Sequence, residues 1–403
     1  MKKMDSPVII LHVVGRLDRG GAESRIMDLY RQMDRDKVQF YFAQHTADRC
    51  AFAEEIETLG GRIFTLPRFK VVNIRSYKKA WKKLFKSHPE IKMVQGHMTS
   101  TASIYLPIAK RAGIEKTIAH ARSAGVEPGL KGWLTRLMRK NLWKKCDYCF
   151  TCSHLAGEVV FGKQAMSEGK VYLIPNAIEV EKFAFDEKIR KELRYELGLE
   201  GCFVLGHVGR FCGVKNHFYL LDILEEGIAL ERKMELPRLV LLLLGEGELE
   251  EKVRQSAAEK GISSRVYFLG NQKDVYRYYQ AMDYFLLPSF YEGLPGTAIE
   301  AQASGLPGIL SDTVTREAVI TDLLKRLSIR GAAAKWAEII ADYAAGKTDG
   351  DIEENLINER RIGTGYAEQV KAAGYEVKDQ ADRLQRFYLE GEEENVRNLR
   401  ILR

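Results

Sequence analysis

Short apolar runs alternate with amphipathic stretches along this chain, a pattern that predicts parallel β-strands joined by crossover helices. In the first half strands are expected at 8–14, 38–44, 62–66, 91–95, 116–121 and 147–152. Helices at 21–34, 51–59, 74–87, 100–112 and 130–145 lie between them. A further strand, 171–174, runs into Pro175-Asn176, a break that marks the predicted hinge. The pattern then restarts, with helix 186–197, strand 203–208, helix 216–226, strand 238–244 and helix 248–260. Strand 265–268, helix 273–281, strand 284–287, helix 297–304 and strand 307–310 follow. The stretch 367–389 reads as helices, with Ala381, Leu384, Phe387 and Tyr388 at helical spacing. The expected fold class is α/β, with two Rossmann-like, doubly wound parallel-sheet domains facing across a cleft. The domains are 1–175 and 176–370, and 371–403 is a helical tail with the option of packing back on the first domain.

Composition narrows the class. The chain has 403 residues, 45% hydrophobic and 29% charged, values of an ordinary globular protein of about two domains that exclude a fibrous or disordered chain. The longest apolar run, Leu239 to Leu244, has the length of a strand and not of a membrane span. Met1-Lys2-Lys3 followed by Val8 to Val14 has the outline of a signal peptide. It lacks a small-residue cleavage site and runs into a glycine-containing turn, so it reads as a first buried strand of a cytoplasmic protein.

The net charge of +7 hides an asymmetry. Residues 1–175 carry 31 Lys/Arg and 16 Asp/Glu, net +15, whereas 176–403 carry 31 and 39, net −8. Within 66–145 there are 19 basic residues against Glu90, Glu115 and Glu127. Such a density calls for a polyanionic partner, nucleic acid or an anionic membrane surface. Cys146, Cys149 and Cys152 share a two-residue spacing but lack a fourth ligand. They read as small apolar residues of a buried strand, and reduced thiols fit the cytoplasm.

Three turns carry candidate chemistry. Gly15 to Glu23 joins the first strand to a helix, and Gly20-Gly21 there permits close backbone approach to a phosphate at the helix N-terminus, or simply a tight turn. The spacing fits neither a dinucleotide fingerprint nor a P-loop. In Gly206 to Asn216, Gly209 and Arg210 stand at one end and Lys215 at the other, placed either to clamp a diphosphate or to be solvated. In Phe290 to Glu300, Glu292 and Glu300 flank a helix start, and the amides of Gly293, Leu294, Gly296 and Thr297 face a prospective anion. Helix-start carboxylates also occur for dipole reasons alone.

Taken in order, these motifs resemble the family-4 retaining glycosyltransferases of the GT-B fold. The resemblance rests on Gly20-Gly21-Ala22-Glu23, Ile174 to Ile178, Gly209-Arg210 with Lys215, Gly245-Glu246-Gly247, Asp274-Val275, and Glu292 to Glu300 with seven residues between. It spans residues 8 to about 390. Glu292-Gly-Leu-Pro, Glu300 to Pro307 and Ser311-Asp312-Thr313 further resemble the exopolysaccharide and capsule branch. The resemblance implies that Arg210 and Lys215 bind the donor diphosphate and that Glu300 accepts ribose hydroxyls. Glu292 with the amides of Gly293 to Thr297 would hold the donor sugar and phosphate, while Gly21 approaches the phosphate from the other domain. The turns at 245–247 and 270–274 would flank the nucleobase. It also implies a first-domain histidine beside the donor sugar. Here the candidate is His120, with Arg122 where relatives often carry a second histidine, and the alternative is a core histidine.

The implied catalytic set is His120, Arg210, Lys215 and Glu292, with no divalent metal and no cofactor beyond a UDP- or GDP-linked sugar as substrate. Asp34-Arg-Asp36 and Asp349-Gly-Asp351 do not follow strands and read as solvated. The implied reaction is retaining transfer to a lipid-linked or polysaccharide acceptor. A non-catalytic binding protein of the same fold and a nucleotide-sugar epimerase are the alternatives, and nucleic-acid binding is not expected. Basic stretches interleaved with aromatics, Lys78 to Lys86 and Lys131 to Lys145, suit an anionic membrane interface unless Trp81, Trp133 and Leu137 pack against the sheet. This gives the expectation of a peripheral protein on the inner face of the cell membrane.

Overall fold

The computed structural model describes residues 6–123, 125, 129–348, 350–351 and 365–391. It divides into two compact units, Met1–Ala177 with Glu376–Arg403, and Ile178–Tyr375. The first division falls two residues after the predicted hinge.

The first unit is a seven-stranded parallel sheet, in which β1 (Val8–Val13), β2 (Val38–Gln44), β3 (Arg62–Thr65), β4 (Ile91–Gly96), β5 (Lys116–Ala121), β6 (Tyr148–Thr151) and β7 (Val171–Leu173) take the order β3-β2-β1-β4-β5-β6-β7. Its winding reverses between β1 and β4, which are paired from Ile9↔Ile91 to Val13↔Gly96. Helices α1 (Gly21–Gln32), α2 (Ala53–Thr58), α3 (Ile74–Ser87), α4 (Thr99–Arg111) and α5 (Gly129–Arg139) occupy the predicted crossovers. The expected helix 130–145 is cut short. Asn141 turns left-handed (φ 56°), a conformation asparagine tolerates, and the chain re-enters the core as a short 3-10 turn with Leu142 fully buried. Two helices, α6 (His154–Phe161) and α7 (Lys163–Ser167), were not expected. The start of α6 is capped by Ser153 Oγ, which accepts from the Ala156 amide at 3.2 Å.

The C-terminal helix Val377–Glu390 belongs to the first unit. Val377, Ala381, Leu384, Phe387 and Tyr388 are buried in its core. Phe387 meets Tyr148 edge-on at 4.9 Å and Phe150 at 5.5 Å. Burying Leu384 and Phe387 alone contributes about 3–6 kcal/mol.

The second unit is a six-stranded parallel sheet, in which β8 (Cys202–Val208), β9 (Arg238–Leu244), β10 (Val266–Phe268), β11 (Tyr284–Leu287), β12 (Gly308–Ser311) and β13 (Leu324–Leu327) take the order β10-β9-β8-β11-β12-β13. The reversal lies between β8 and β11, paired at Tyr284↔Leu205 and Phe285↔Gly206. Crossovers here include α8 (Val180–Phe183), α9 (Glu187–Glu196), α10 (His217–Met234), α11 (Glu250–Glu259), α12 (Val275–Ala281), α13 (Gly296–Ala303) and α14 (Ala333–Ala344). Helix α10 runs eight residues past its expected end because Gly227 is a packing glycine: a Cβ there would stand 3.0 Å from Leu239 Cδ2. Strand β13 and helix α14 were missed, although Trp336, Ala337, Ile340 and Ala341 bury one helical face. Buried Asp283 ties α9 to the sheet through Arg190 and Arg194 and accepts from the Val204 amide at 2.8 Å. Burial pushes its carboxyl up, but the two guanidinium groups outweigh that and hold it below the ordinary carboxylate range.

Candidate active site

Ligands of open α/β sheets bind beyond the carboxyl ends of strands where the winding reverses. In the second unit those ends are the loops after β8 and β11, which carry Gly209 to Lys215 and Glu292 to Thr297. Because the two strands are neighbours, residues 77 apart in sequence meet: Lys215 Nζ donates to Glu292 Oε1 at 2.6 Å, both side chains largely buried. The Lys215 stem lies over Gly209, where a Cβ would stand 3.2 Å from Cδ and Cε and 2.8 Å from His207 Nε2. Any side chain at 209 would therefore displace the lysine. His207 Nδ1 donates to the Leu286 carbonyl at 2.8 Å, leaving Nε2 as the lone-pair nitrogen. Burial, and then His217 and Lys215, hold this imidazole well below its usual pKa.

Helix α13 opens beside this pair. Its N-cap, Pro295, has no side chain able to accept from the first-turn amides, and Thr297 Oγ1 is buried without a hydrogen-bond partner among the described residues. Glu300, one turn on, is buried and accepts from the Tyr279 hydroxyl at 2.7 Å. Leu294 is buried under the loop. The neighbouring turns also converge. The Gly245 amide donates to Gly270 O at 2.8 Å and Phe211 N to Glu246 O at 3.0 Å. A Cβ on Gly245, whose φ is +134°, would strike the Gly209 carbonyl at 2.2 Å. The turns at 245–247 and 270 thus sit against the β8 loop, which requires glycine at this approach.

The structure places three of the expected residues as follows. Glu292 is not a free acceptor, because it is ion-paired with Lys215. Arg210 does not join that pair: its side chain is 74% exposed and meets Glu248 at 3.3 Å. His120 lies within β5, as the expected strand 116–121 placed it, and its ring is fully buried. Its Nδ1 lies 2.9 Å from Gln95 Nε2, and its ring is 5.2 Å from that of His97. The reason is register: His120 pairs across to Phe150 of β6, in the sheet's interior. Sequence reasoning also passed over Tyr279, Gln95, His12 and His97. The last two follow apolar runs at the carboxyl ends of β1 and β4, a signal that was present.

In the first unit, Gly20 caps α1 and Gly21 opens it. A Cβ on Gly20 would strike Glu23 Oε2 at 2.5 Å, whereas Gly21 faces open space. Asp34 of the Asp-x-Asp pair is held by Lys37 at 2.7 Å on the surface. Asp349 of the second pair lies outside the described residues, as does Glu127. Cys146, Cys149 and Cys152 are all buried, with the first two sulfurs 3.5 Å apart.

The two basic helices differ. Trp81 of α3 is fully buried, stacked on Tyr105 at 4.8 Å and on Phe85 at 5.7 Å, so α3 turns its aromatics into the core. On α5, Leu130, Trp133 and Leu137 are 80%, 57% and 51% exposed. Trp133 and Leu137 border a groove of about 520 Å³ that Trp143, Val159, Arg136, Arg139 and Lys140 also line. No described helix is long and apolar enough to cross a membrane.

A family profile described as "Glycosyltransferase Family 4" matches residues 19–182, and one described as "Glycosyl transferases group 1" matches 202–345. The "Putative glycosyltransferase EpsF" of Bacillus subtilis (strain 168) is 34% identical over 366 residues, covering 89% of this chain and 93% of its own. The chain is a family-4 glycosyltransferase. The capsular polysaccharide biosynthesis glycosyltransferase CapH of Staphylococcus aureus is 25% identical over 297 residues, 72% of this chain and 78% of its own. CapH is thus named for the capsule branch that residues 292–313 resemble. Among solved structures, Anabaena HepE in complex with UDP and glucose superposes with a TM-score of 0.72 at 17% identity over 94% of this chain and 98% of its own. WaaG, a glycosyltransferase involved in lipopolysaccharide biosynthesis, does so with 0.69 at 14% identity over 94% and 99%. Both likenesses are of fold, and the fold of this glycosyltransferase is GT-B.

Proposed function

We propose that this glycosyltransferase takes a sugar from a nucleoside diphosphate, UDP- or GDP-linked, and passes it to a lipid-linked or growing polysaccharide acceptor, with retention and without a metal ion. The observation that carries the reading is the Lys215–Glu292 pair beside the uncapped start of α13. A largely buried ammonium and first-turn amides supply positive charge where a leaving diphosphate gains negative charge, so they stabilise the transition state more than the ground state. In the free protein Glu292 neutralises Lys215. A diphosphate competes for the ammonium and releases the carboxylate to accept from sugar hydroxyls. Glu300, positioned by Tyr279, accepts the ribose hydroxyls. The convergent turns at 245–247 and 270 offer backbone groups to the base. The branch of its relatives, one of them named for capsular polysaccharide, supports a cell-surface polysaccharide as the product.

The exposed apolar and basic side chains of α5 support attachment to an anionic membrane surface, on which a lipid-linked acceptor would be met. The experiment is product formation from UDP- and GDP-sugars with membrane extract and EDTA present. The expected result is transfer with the anomeric configuration retained, and absence of both transfer and donor hydrolysis overturns the reading. Trp133→Glu is expected to lower binding to phosphatidylglycerol vesicles about tenfold while leaving UDP affinity unchanged.

A further inference from the structure

The first unit holds polar groups that the proposed reaction does not use. At the carboxyl ends of β1, β4 and β5, the ring of His12 lies 5.3 Å from that of His97, which lies 5.2 Å from that of His120. Arg122, two residues beyond His120, donates from Nη1 to Asn176 Oδ1 at 2.8 Å. Five nitrogens of this cluster are buried without a hydrogen-bond partner among the described residues: His12 Nε2, His97 Nδ1, His120 Nε2, and Arg122 Nε and Nη2.

Proton positions follow from the neighbours. Tyr388 of the C-terminal helix donates to Gln95 Oε1 at 2.6 Å, which turns Gln95 Nε2 toward His120 Nδ1 at 2.9 Å. His120 Nδ1 is then the acceptor, and the imidazole carries its proton on Nε2. His12 Nδ1 and His97 Nε2 are 3.0 Å apart, so one donates to the other. Between His12 Nε2 and His97 Nδ1 this leaves one donor and one acceptor. Arg122 only donates. Four of the five unpartnered atoms therefore carry N–H groups, around a full positive charge.

No described residue forms an ion pair with Arg122, and the Glu23 carboxylate is the least of the charges that act on it. Burial lowers the Arg122 pKa to about 10, and burial with the Arg122 charge keeps all three histidines neutral. Arg122 is half-buried as a residue, but its Nε and Nη2 are buried, and buried N–H groups of a cation left without acceptors are costly. The free edge of the guanidinium is also specific: Nη1 is engaged by Asn176, and Nε with Nη2 forms the parallel fork that grips two oxygens side-on.

We propose that Arg122, His120 and the His12–His97 pair form a binding site for an oxyanion, a carboxylate or phosphate carried by a sugar substrate. Arg122 takes two oxygens through Nε and Nη2, and His120 donates from Nε2. That the anion is borne by a sugar rests on the glycosyltransferase reading. Anion binding itself does not.

The test is calorimetric titration of the full chain with glucuronate, inorganic phosphate and neutral glucose, in the wild type, Arg122→Met and Arg122→Lys. Glucuronate or phosphate is expected to bind the wild type at least tenfold more tightly than Arg122→Met, with Arg122→Lys between them and glucose indifferent to the change. The two anions separate a carboxylate from a phosphate ligand. UDP binding, assigned to the second unit, is expected to stay constant and reports an intact fold. If the wild type binds neither anion, or Arg122→Met binds them equally well, Arg122 is only a tether to Asn176 and the proposal fails. If anions bind but no nucleotide sugar is turned over, the proposed function falls and this site stands. Should Arg122→Met not fold, the ¹⁵N shift of wild-type His120 Nε2 decides the matter: movement on adding glucuronate or phosphate supports the site, and none overturns it.

Discussion

The two winding reversals of this protein handle positive charge in opposite ways. After β8 and β11 the cation is matched, Lys215 against Glu292 at 2.6 Å. At the ends of β1, β4 and β5 the cation Arg122 has a neutral amide for a partner and neutral histidines around it. A paired cation stands free of ligand at little cost and exchanges one carboxylate for another anion. An unpaired buried one is complete only when an anion arrives. The same topological position thus supports an exchanging site in one sheet and a waiting site in the other.

The contrast breaks most sharply if the paired cation is removed. Lys215→Ala is expected to lower kcat by about 10²–10³-fold, the usual loss for one preorganised charge-stabilising donor, and to lower the thermal midpoint as well, because Glu292 is left largely buried without its partner. A smaller effect is expected from Tyr279→Phe, which deletes one hydrogen bond to buried Glu300. At about 1 kcal/mol this weakens UDP affinity about fivefold, and unchanged affinity would remove Glu300 from the ribose site. Smaller again, Glu292→Gln frees Lys215, so UDP, which lacks the sugar, is expected to bind about threefold more tightly while transfer falls. A loss of UDP affinity would show instead that the carboxylate positions the lysine.

The gentlest test is pH, and there the two reversals behave alike. Burial lowers the pKa of His12 to about 3 and of His217 to about 4, and drives His97, His120 and His207 well below the ordinary value of 6.5. A group whose folded pKa is depressed adds stability above its unfolded pKa and loses it as pH falls. The thermal midpoint is therefore expected to be flat above pH 6.5 and to decline steadily from pH 6.5 toward pH 4. His12→Phe should shallow that decline.

Much of the architecture was legible because parallel strands buried on both faces show as unbroken apolar runs, such as Leu239 to Leu244. Crossover helices show as amphipathic stretches between them. The boundaries that failed did so for tertiary reasons. Helix α10 continues past the expected end at 226 through Gly227, where Leu239 comes close, and Asn141 closes α5 by turning left-handed. The candidate site was half legible. Lys215, Glu292 and Glu300 stood out as charged residues in glycine-bearing turns, but not their partners: Tyr279 and His207 lie on a crossover helix and inside a strand, where pattern marks them as core.

Helices α3 and α5 show where pattern stops. Both interleave lysine and arginine with tryptophan at helical spacing, yet Trp81 is fully buried and Trp133 is 57% exposed. Which side of an amphipathic helix meets protein depends on whether another element covers it, and that information is not local. By itself the sequence determined the two parallel sheets, the turns that carry the charged residues and the basic character of the first half, all properties of period and composition. Only the tertiary structure decided that Lys215 is answered by Glu292, that His120 is buried in the sheet, and that Arg122 forms no ion pair among the described residues, because charge pairing and burial depend on which distant strands become neighbours.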